Sequence, residues 1–370
     1  MSRRGKGAPT FGFLAVDKPS GPTSHDIVAE ARRALRIRKV GHTGTLDPFA
    51  TGLLLLAAGA ATRLIEYLGP LEKEYVATAR LGETTDTLDP EGDSVFVSDG
   101  WQKLNWEQVE AALNSFVGQM DQMPPVFSAK KIGGESAHRR ARRGEDVELQ
   151  PSPVSIHEIE LLSLSLPEVT FRLRCSTGTY VRSIARDLGE RLGVGAYLSA
   201  LRRTAIGSFR VEDALAPTDL GDPERVASGL LSPRQALQHL PGLEIGETEF
   251  QRLGQGQSLA HTDVVSDLNP ANPATRAPGP LVVHSPGWSN RVVIAEWKTS
   301  EGADPYPSKR SAQEDARDDG AGAREETHIG DEIHRREGTD TPDTPDTPDT
   351  PERGGEASVA LRPLKVVGDD

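Results

Sequence analysis

The stretch from Val40 to Leu56, VGHTGTLDPFATGLLLL, holds the residues best placed to do chemistry. Gly41, Gly44 and Gly52 allow this loop to approach a ligand closely. Pro48 biases Asp47 towards an extended backbone, so its carboxylate is presented at a fixed angle just ahead of an apolar segment. An acid on a glycine-rich loop anchored to a core suits a positioned nucleophile or base. Asp-Pro is also a common turn or cap, so the loop alone leaves both readings open. An aspartate-based hydrolase would need a second carboxylate or a metal cluster, and the loop contains neither.

Several elements must position that loop. Ser24 is placed to cap a helix whose apolar residues Ile27, Val28, Ala31 and Leu35 share one face. Asn105 opens a second helix, with Gln108 three residues on, Val109, Leu113 and Phe116 inward, and Gly118 as its stop. A third, Tyr180 to Leu192, keeps Val181, Ile184, Leu188 and Leu192 at helical spacing. Strands are expected at 11–16, 75–81, 154–164, 168–175 and 205–211. Helices and strands do not alternate regularly, which predicts an α+β fold with a mixed sheet rather than a doubly wound one.

The 370 residues carry a formal charge of −13, an unpromising balance for a nucleic-acid partner until the charge is located. Thr299 to Ser358 holds 17 acidic and 7 basic residues, and the rest of the chain 38 acidic and 35 basic. Lys130, Lys131, Arg139, Arg140, Arg142 and Arg143 crowd one short stretch around a single Glu135. The acidic segment includes TDTPDTPDTPDTPE, where a proline at every third position forbids helix and sheet alike. Such a polar segment cannot offset its ordering entropy by burial, so 299–358 is expected to be a disordered insertion. The only cysteine, Cys175, excludes an internal disulfide and alternates with Val169, Phe171 and Leu173 as if on the buried face of a strand. No apolar run is long enough to cross a bilayer and no secretory signal is evident, so a cytoplasmic location is expected.

Five ordered segments together give a stronger signal than any one of them. GHTGTLDPFATGLL resembles the catalytic motif of the TruB family of pseudouridine synthases. Asp17-Lys18-Pro19-Ser20-Gly21 with Thr23-Ser24 resembles the family's first motif, and Lys73-Glu74-Tyr75 its tyrosine motif. Arg80-Leu81-Gly82 through Thr85-Asp86-Thr87 to Asp89 resembles the next. Ser176-Thr177-Gly178-Thr179-Tyr180-Val181-Arg182 resembles the arginine motif, continuing through Asp187-Leu188-Gly189 to Leu201-Arg202-Arg203.

The resemblance implies a pseudouridine synthase catalytic domain over 10–240, its mixed, largely antiparallel sheet flanked by helices. It implies isomerisation of uridine to pseudouridine in the T-loop (position 55) of tRNA, by base flipping, with no cofactor and no metal. Asp47 is implied as the catalytic carboxylate, either nucleophile or the base that starts glycal formation. Arg182 is its expected partner, able to hold the carboxylate in register and oppose the cost of desolvating it. Tyr75 is implied to stack on the target base. His42 matches a histidine that fills the space vacated by flipped bases. Lys18 is expected to support the site or the RNA backbone, and Thr45, Asp89, Tyr180 and Arg202 to lie at the substrate. Lys130, Lys131, Arg139, Arg140, Arg142 and Arg143 fall in a segment resembling the family's RNA-gripping insertion, where cations meet phosphates. Ala137-His138 stands where relatives often carry a tyrosine.

Residues 241–298 and 359–370 resemble a PUA-like RNA-binding domain, a small β-barrel, with the acidic segment inserted between its last strands. The expected partner is the T-loop and T-stem of tRNA, met by a monomer with no membrane association. A guide-RNA-dependent relative and an RNA-folding factor are the rival readings. The short stretch before residue 11 favours a stand-alone enzyme over the first, and the joint presence of Asp47, Tyr75 and Arg182 favours catalysis over the second.

Overall fold

The computed structural model describes residues 11–128 and 149–265 continuously, scattered positions between 131 and 145, and then 279–286, 291–299 and 359–368. The acidic segment, Lys130, Arg139 and Arg142 lie outside the described residues. The chain divides into two compact units after Gln238.

Period-two burial builds the first unit. In β4 (Lys73–Leu81) every second side chain from Lys73 through Tyr75, Ala77 and Ala79 to Leu81 is buried. Its neighbour β11 (Glu168–Cys175) matches it with Val169, Phe171, Leu173 and Cys175, and Leu173 pairs with Tyr75. Helices α2 (Trp106–Asn114) and α3 (Val181–Arg191) cover that face with Val109, Leu113, Ile184, Ala185 and Leu188. The sheet runs β1 (Gly12–Lys18), β3 (Thr51–Ala58), β12 (Ala196–Ile206), β4, β11, β10 (Ser152–Ser165), β7 (Gly118–Gln122), with β2 (Val40–His42) on β3 and β13 (Phe209–Arg210) on β12. Within this sheet, among the described residues, only β12 and β3 pair in parallel, so the sheet is mixed and largely antiparallel, as expected of an α+β fold. Two short hairpins lie outside it, β5 (Glu83–Thr85) with β6 (Ser94–Val97) and β8 (Lys131–Ile132) with β9 (Glu135–Ser136).

Helix α1 (Ser24–Leu35) packs Ile27, Val28 and Ala31 against Leu14, Val16, Leu54 and Leu56 of β1 and β3. Its cap is Thr23 rather than Ser24, because Thr23 Oγ1 accepts from Asp26 N and Asp26 answers to Thr23 N, closing a capping box. Ser24 is instead turned inward. Asn105 and Gln108 do form the expected capping box on α2, but that helix ends at Asn114 and Gly118 opens β7. The strand expected at 205–211 is in fact the end of β12, which starts nine residues earlier and turns at Gly207 into β13.

The second unit is a small β domain of PUA-like type. Its five-stranded sheet runs β14 (Gly242–Glu244), β16 (Leu281–His284), β17 (Val292–Thr299), β18 (Val359–Val367), β15 (Leu259–Ala260). Leu243, Phe250, Leu281, Val293, Trp297 and Leu361 fill its core.

Candidate active site

Asp47 sits in the turn between β2 and β3, and three enclosed side chains hold that turn. Lys18, at the end of β1 and fully buried, gives its three ammonium hydrogens to the carbonyls of Pro19, Pro48 and Ala50 at 2.9, 3.0 and 2.6 Å. Ser24 Oγ both donates to Leu46 O and accepts from Leu46 N, each at 2.9 Å. Arg203, 2% exposed in β12, donates from Nε to Leu53 O at 2.7 Å and from its two terminal nitrogens to Thr45 O and Gly44 O at 3.4 and 3.1 Å. The arginine reaches them because β12 runs directly beside β3. A β-carbon at Gly52 (φ +101°) would overlap the Arg203 backbone, so only glycine fits there.

The Asp47 carboxylate faces Arg182 side-on, with Nε 3.0 Å from Oδ2 and Nη2 3.3 Å from Oδ1. Arg182 is 7% exposed at its side chain and Asp47 33%, so the guanidinium is enclosed while the carboxylate keeps an open side. The remaining guanidinium hydrogens are also matched. Nη1 donates to Thr87 O and Asp89 Oδ2, both at 3.0 Å, and Nη2 donates further to Phe127 O at 2.9 Å. Four hydrogen bonds from Nη1 and Nη2, with the Nε ion-pair contact beside them, fix the plane of the fork and with it the Asp47 carboxylate.

Asp89 is held in turn by Thr87 Oγ1 at 2.6 Å and Glu91 N at 3.1 Å, both on Oδ1. Arg182 projects from the first turn of α3, whose start is clamped by Gln122: the Tyr180 N–H donates to its Oε1 at 2.8 Å, and its Nε2 donates to Tyr180 O at 3.1 Å.

Asp47, Arg182, Tyr75, Tyr180 and Thr45 line one cavity of about 480 Å³, within the range of roughly 300–1,000 Å³ usual for small-molecule sites. Burial pushes the Tyr75 phenol above its ordinary value, with the Arg203 guanidinium opposing. Tyr180 is raised by the same cause, with Ser128 and Arg182 opposing. Both therefore stand as neutral phenols lining the cavity. Burial lowers Lys18 and the Asp47 carboxylate opposes it. His42 is set back on β2, its ring edge-on to His25 with centroids 5.5 Å apart, and His25 lines the cavity. Burial, His25 and Arg203 all lower the His42 pKa, so the imidazole is neutral there.

The sequence-predicted residues therefore separate by their place in the fold. Asp47, Tyr75, Tyr180, Thr45 and Arg182 are gathered around the cavity. Asp89 and Lys18, expected at the substrate, are enclosed with their polar atoms bonded inside the protein, and act on the site through Arg182 and the loop. Arg202 forms a two-pronged pair with Asp17 at 3.0 and 2.8 Å, its side chain 42% exposed. Arg140 and Arg143 both bond Glu145, at 2.8 and 2.6 Å. For Lys131 only its place in a short strand is described. Sequence reasoning missed Arg203, Gln122 and His25. Arg203 had left a signal, since it occupies an apolar register between Leu201 and Ala205 in an alternating strand.

The mixed sheet flanked by helices is the pseudouridine synthase fold. A chain of the Cbf5–Nop10–Gar1 complex superposes with a TM-score of 0.57 at 27% identity, over 77% of this chain and 81% of that one. The model of the TruB family pseudouridylate synthase N-terminal domain matches residues 32–181, and that of the tRNA pseudouridylate synthase B C-terminal domain matches 182–232. A tRNA pseudouridine synthase B of Geobacter sulfurreducens is 42% identical over 266 residues, 71% of this chain and 87% of the relative. Its counterpart in Corynebacterium efficiens is 46% identical over 253 residues, 67% and 84% of the two chains. The chain belongs to the TruB family of pseudouridine synthases, enzymes that isomerise uridine to its C-glycoside.

Proposed function

We propose that this enzyme converts a uridine in the T-loop of tRNA to pseudouridine, with Asp47 starting the reaction. The observation that carries this reading is the Asp47 carboxylate, held side-on by an enclosed Arg182 and open to a cavity that also presents Tyr75. Isomerisation breaks the bond between N1 and C1′, turns the base, and joins C5 to C1′; C5 loses a proton and N1 gains one. Asp47 either attacks C1′ or removes the proton at C2′. Both routes need an ionised carboxylate aimed at the ribose, and the Arg182 fork stabilises that form without reorganising during the reaction.

The target base must leave its stack to reach Asp47. Tyr75 supplies a flat apolar face for the flipped ring, and Tyr180 lines the same cavity. The relatives named for tRNA are 42% and 46% identical to this chain, against 27% for the chain of the multiprotein complex, which favours tRNA over a guide-dependent substrate. Unmodified tRNA transcript treated with the enzyme should contain pseudouridine at one T-loop position only. A transcript with cytidine at that position should yield none. Product elsewhere in the tRNA, or none from the unaltered transcript, would reject the assignment.

A further inference from the structure

Helix α1 begins beside the cavity at Ser24 and His25, and the chain returns to the site through β2. That return carries Arg32, Arg33, Arg36, Arg38 and Lys39 within RRALRIRK, with no acid among them. All five side chains are exposed. Arg32 is committed to the fold, donating to Val40 O at 2.8 Å. The others join no ion pair among the described residues, although acids lie on the elements packed against α1. Asp219, in the 217–221 turn, bonds Arg225 and Ala216 N, and Asp222 caps helix α4 (Pro223–Gly229).

A bland account is available for part of the run. Cations in the last turn of a helix complement its dipole, which covers Arg32 and Arg33. It does not cover Arg36, which sits past the helix as its left-handed cap, nor Arg38 and Lys39, which lead into β2. Like charges crowded without acids repel one another, and their placement asks for an anionic partner.

Lys39 precedes His42 by three residues of a strand, about 10 Å at roughly 3.3 Å per residue. We infer that Arg36, Arg38 and Lys39 form a phosphate-binding strip for the RNA backbone next to the target nucleotide. This inference rests on the RNA-substrate reading above. The strip is carried by a different segment of the sequence from the basic stretch at 130–143. It grips the strand entering the site from the β2 side, so that backbone and flipped base are held from one continuous segment.

The test compares two double variants with the same change in net charge: Arg38→Glu with Lys39→Glu, and Lys103→Glu with Arg234→Glu, the second pair being exposed cations elsewhere in the same unit. Affinity for an unmodified tRNA transcript is measured by fluorescence anisotropy across a salt series, alongside pseudouridine formation at saturating RNA. The strip variant should bind at least about tenfold more weakly at low salt, with a log–log salt slope shallower by about 1–2. Its kcat should match wild type, and the control pair should stay within about twofold of wild-type affinity. Equal weakening by both pairs, an unchanged slope in the strip variant, or wild-type protein that does not bind tRNA would overturn the inference. Wild type that binds tRNA but makes no pseudouridine would instead reject the isomerase reading and leave the strip standing.

Discussion

Asp89 Oδ2 accepts from Arg182 Nη1 at 3.0 Å, with the two side chains 5% and 7% exposed. Removing charge from such a buried contact leaves the guanidinium held by fewer anchors, so its fork can rotate away from Asp47. Asp89→Asn retains one acceptor and should fold, but its kcat should fall at least about tenfold, near 1.4 kcal/mol of barrier, with KM for tRNA unchanged. Single-turnover and steady-state assays separate these effects. An unaltered kcat would reject the positioning role of Asp89.

Arg182 makes four hydrogen bonds through Nη1 and Nη2 and an ion-pair contact through Nε, whereas a lysine offers three donors in a different geometry. Arg182→Lys keeps the charge yet should lose about 100-fold or more in kcat, close to the loss in Arg182→Ala. Near-complete rescue by lysine would mean that charge alone, not the fork, serves Asp47.

Adjacent arginines in β12 should behave oppositely. Arg203 is enclosed and ties Gly44, Thr45 and Leu53 together, so Arg203→Lys should cost about 2–4 kcal/mol in urea unfolding through several unmet carbonyls. Arg202 makes a half-exposed pair with Asp17, and Arg202→Ala should cost no more than about 1 kcal/mol. Equal costs would contradict the assignment of Arg203 as the brace of the catalytic loop.

Lys73 gives a pH signature. It is 7% exposed, donates to the carbonyls of Gly69 and Leu71, and burial lowers its pKa from 10.5 to about 8. Below about 8 the lysine is charged in both folded and unfolded chains, and burying that charge opposes folding in full. Between about 8 and 10.5 the folded chain gives up the proton while the unfolded chain keeps it, so stability rises with pH across that window. Urea midpoints of wild type should therefore gain on those of Lys73→Met as pH climbs through it. A constant difference would show that Lys73 does not titrate there.

Local patterns made much of this legible. Alternation exposed β4 and β11, with the second matching its expected bounds of 168–175, and the Asn105 capping box marked α2. β3 was hidden because both of its faces are buried, so it reads as an unbroken apolar run without a period. Ser24 and Thr23 are adjacent cap-forming residues, and only the inward hydrogen bonds to Leu46 distinguish their roles. At the site, the loop and motifs pointed to Asp47, Tyr75 and Arg182. The route by which Asp89 reaches Arg182, 93 residues away, and the clamp of Gln122 on Tyr180, 58 residues away, depend on tertiary pairing that no local pattern encodes.

The most direct measurement is single-turnover pseudouridine formation on an unmodified tRNA transcript, comparing wild type with Asp47→Asn at enzyme concentrations that saturate binding. The account predicts rapid conversion at the T-loop position by wild type, and no detectable product from a variant that binds the transcript equally well. Conversion by Asp47→Asn at a rate near that of wild type would contradict it, because the carboxylate held by Arg182 would then not be the group that starts the reaction.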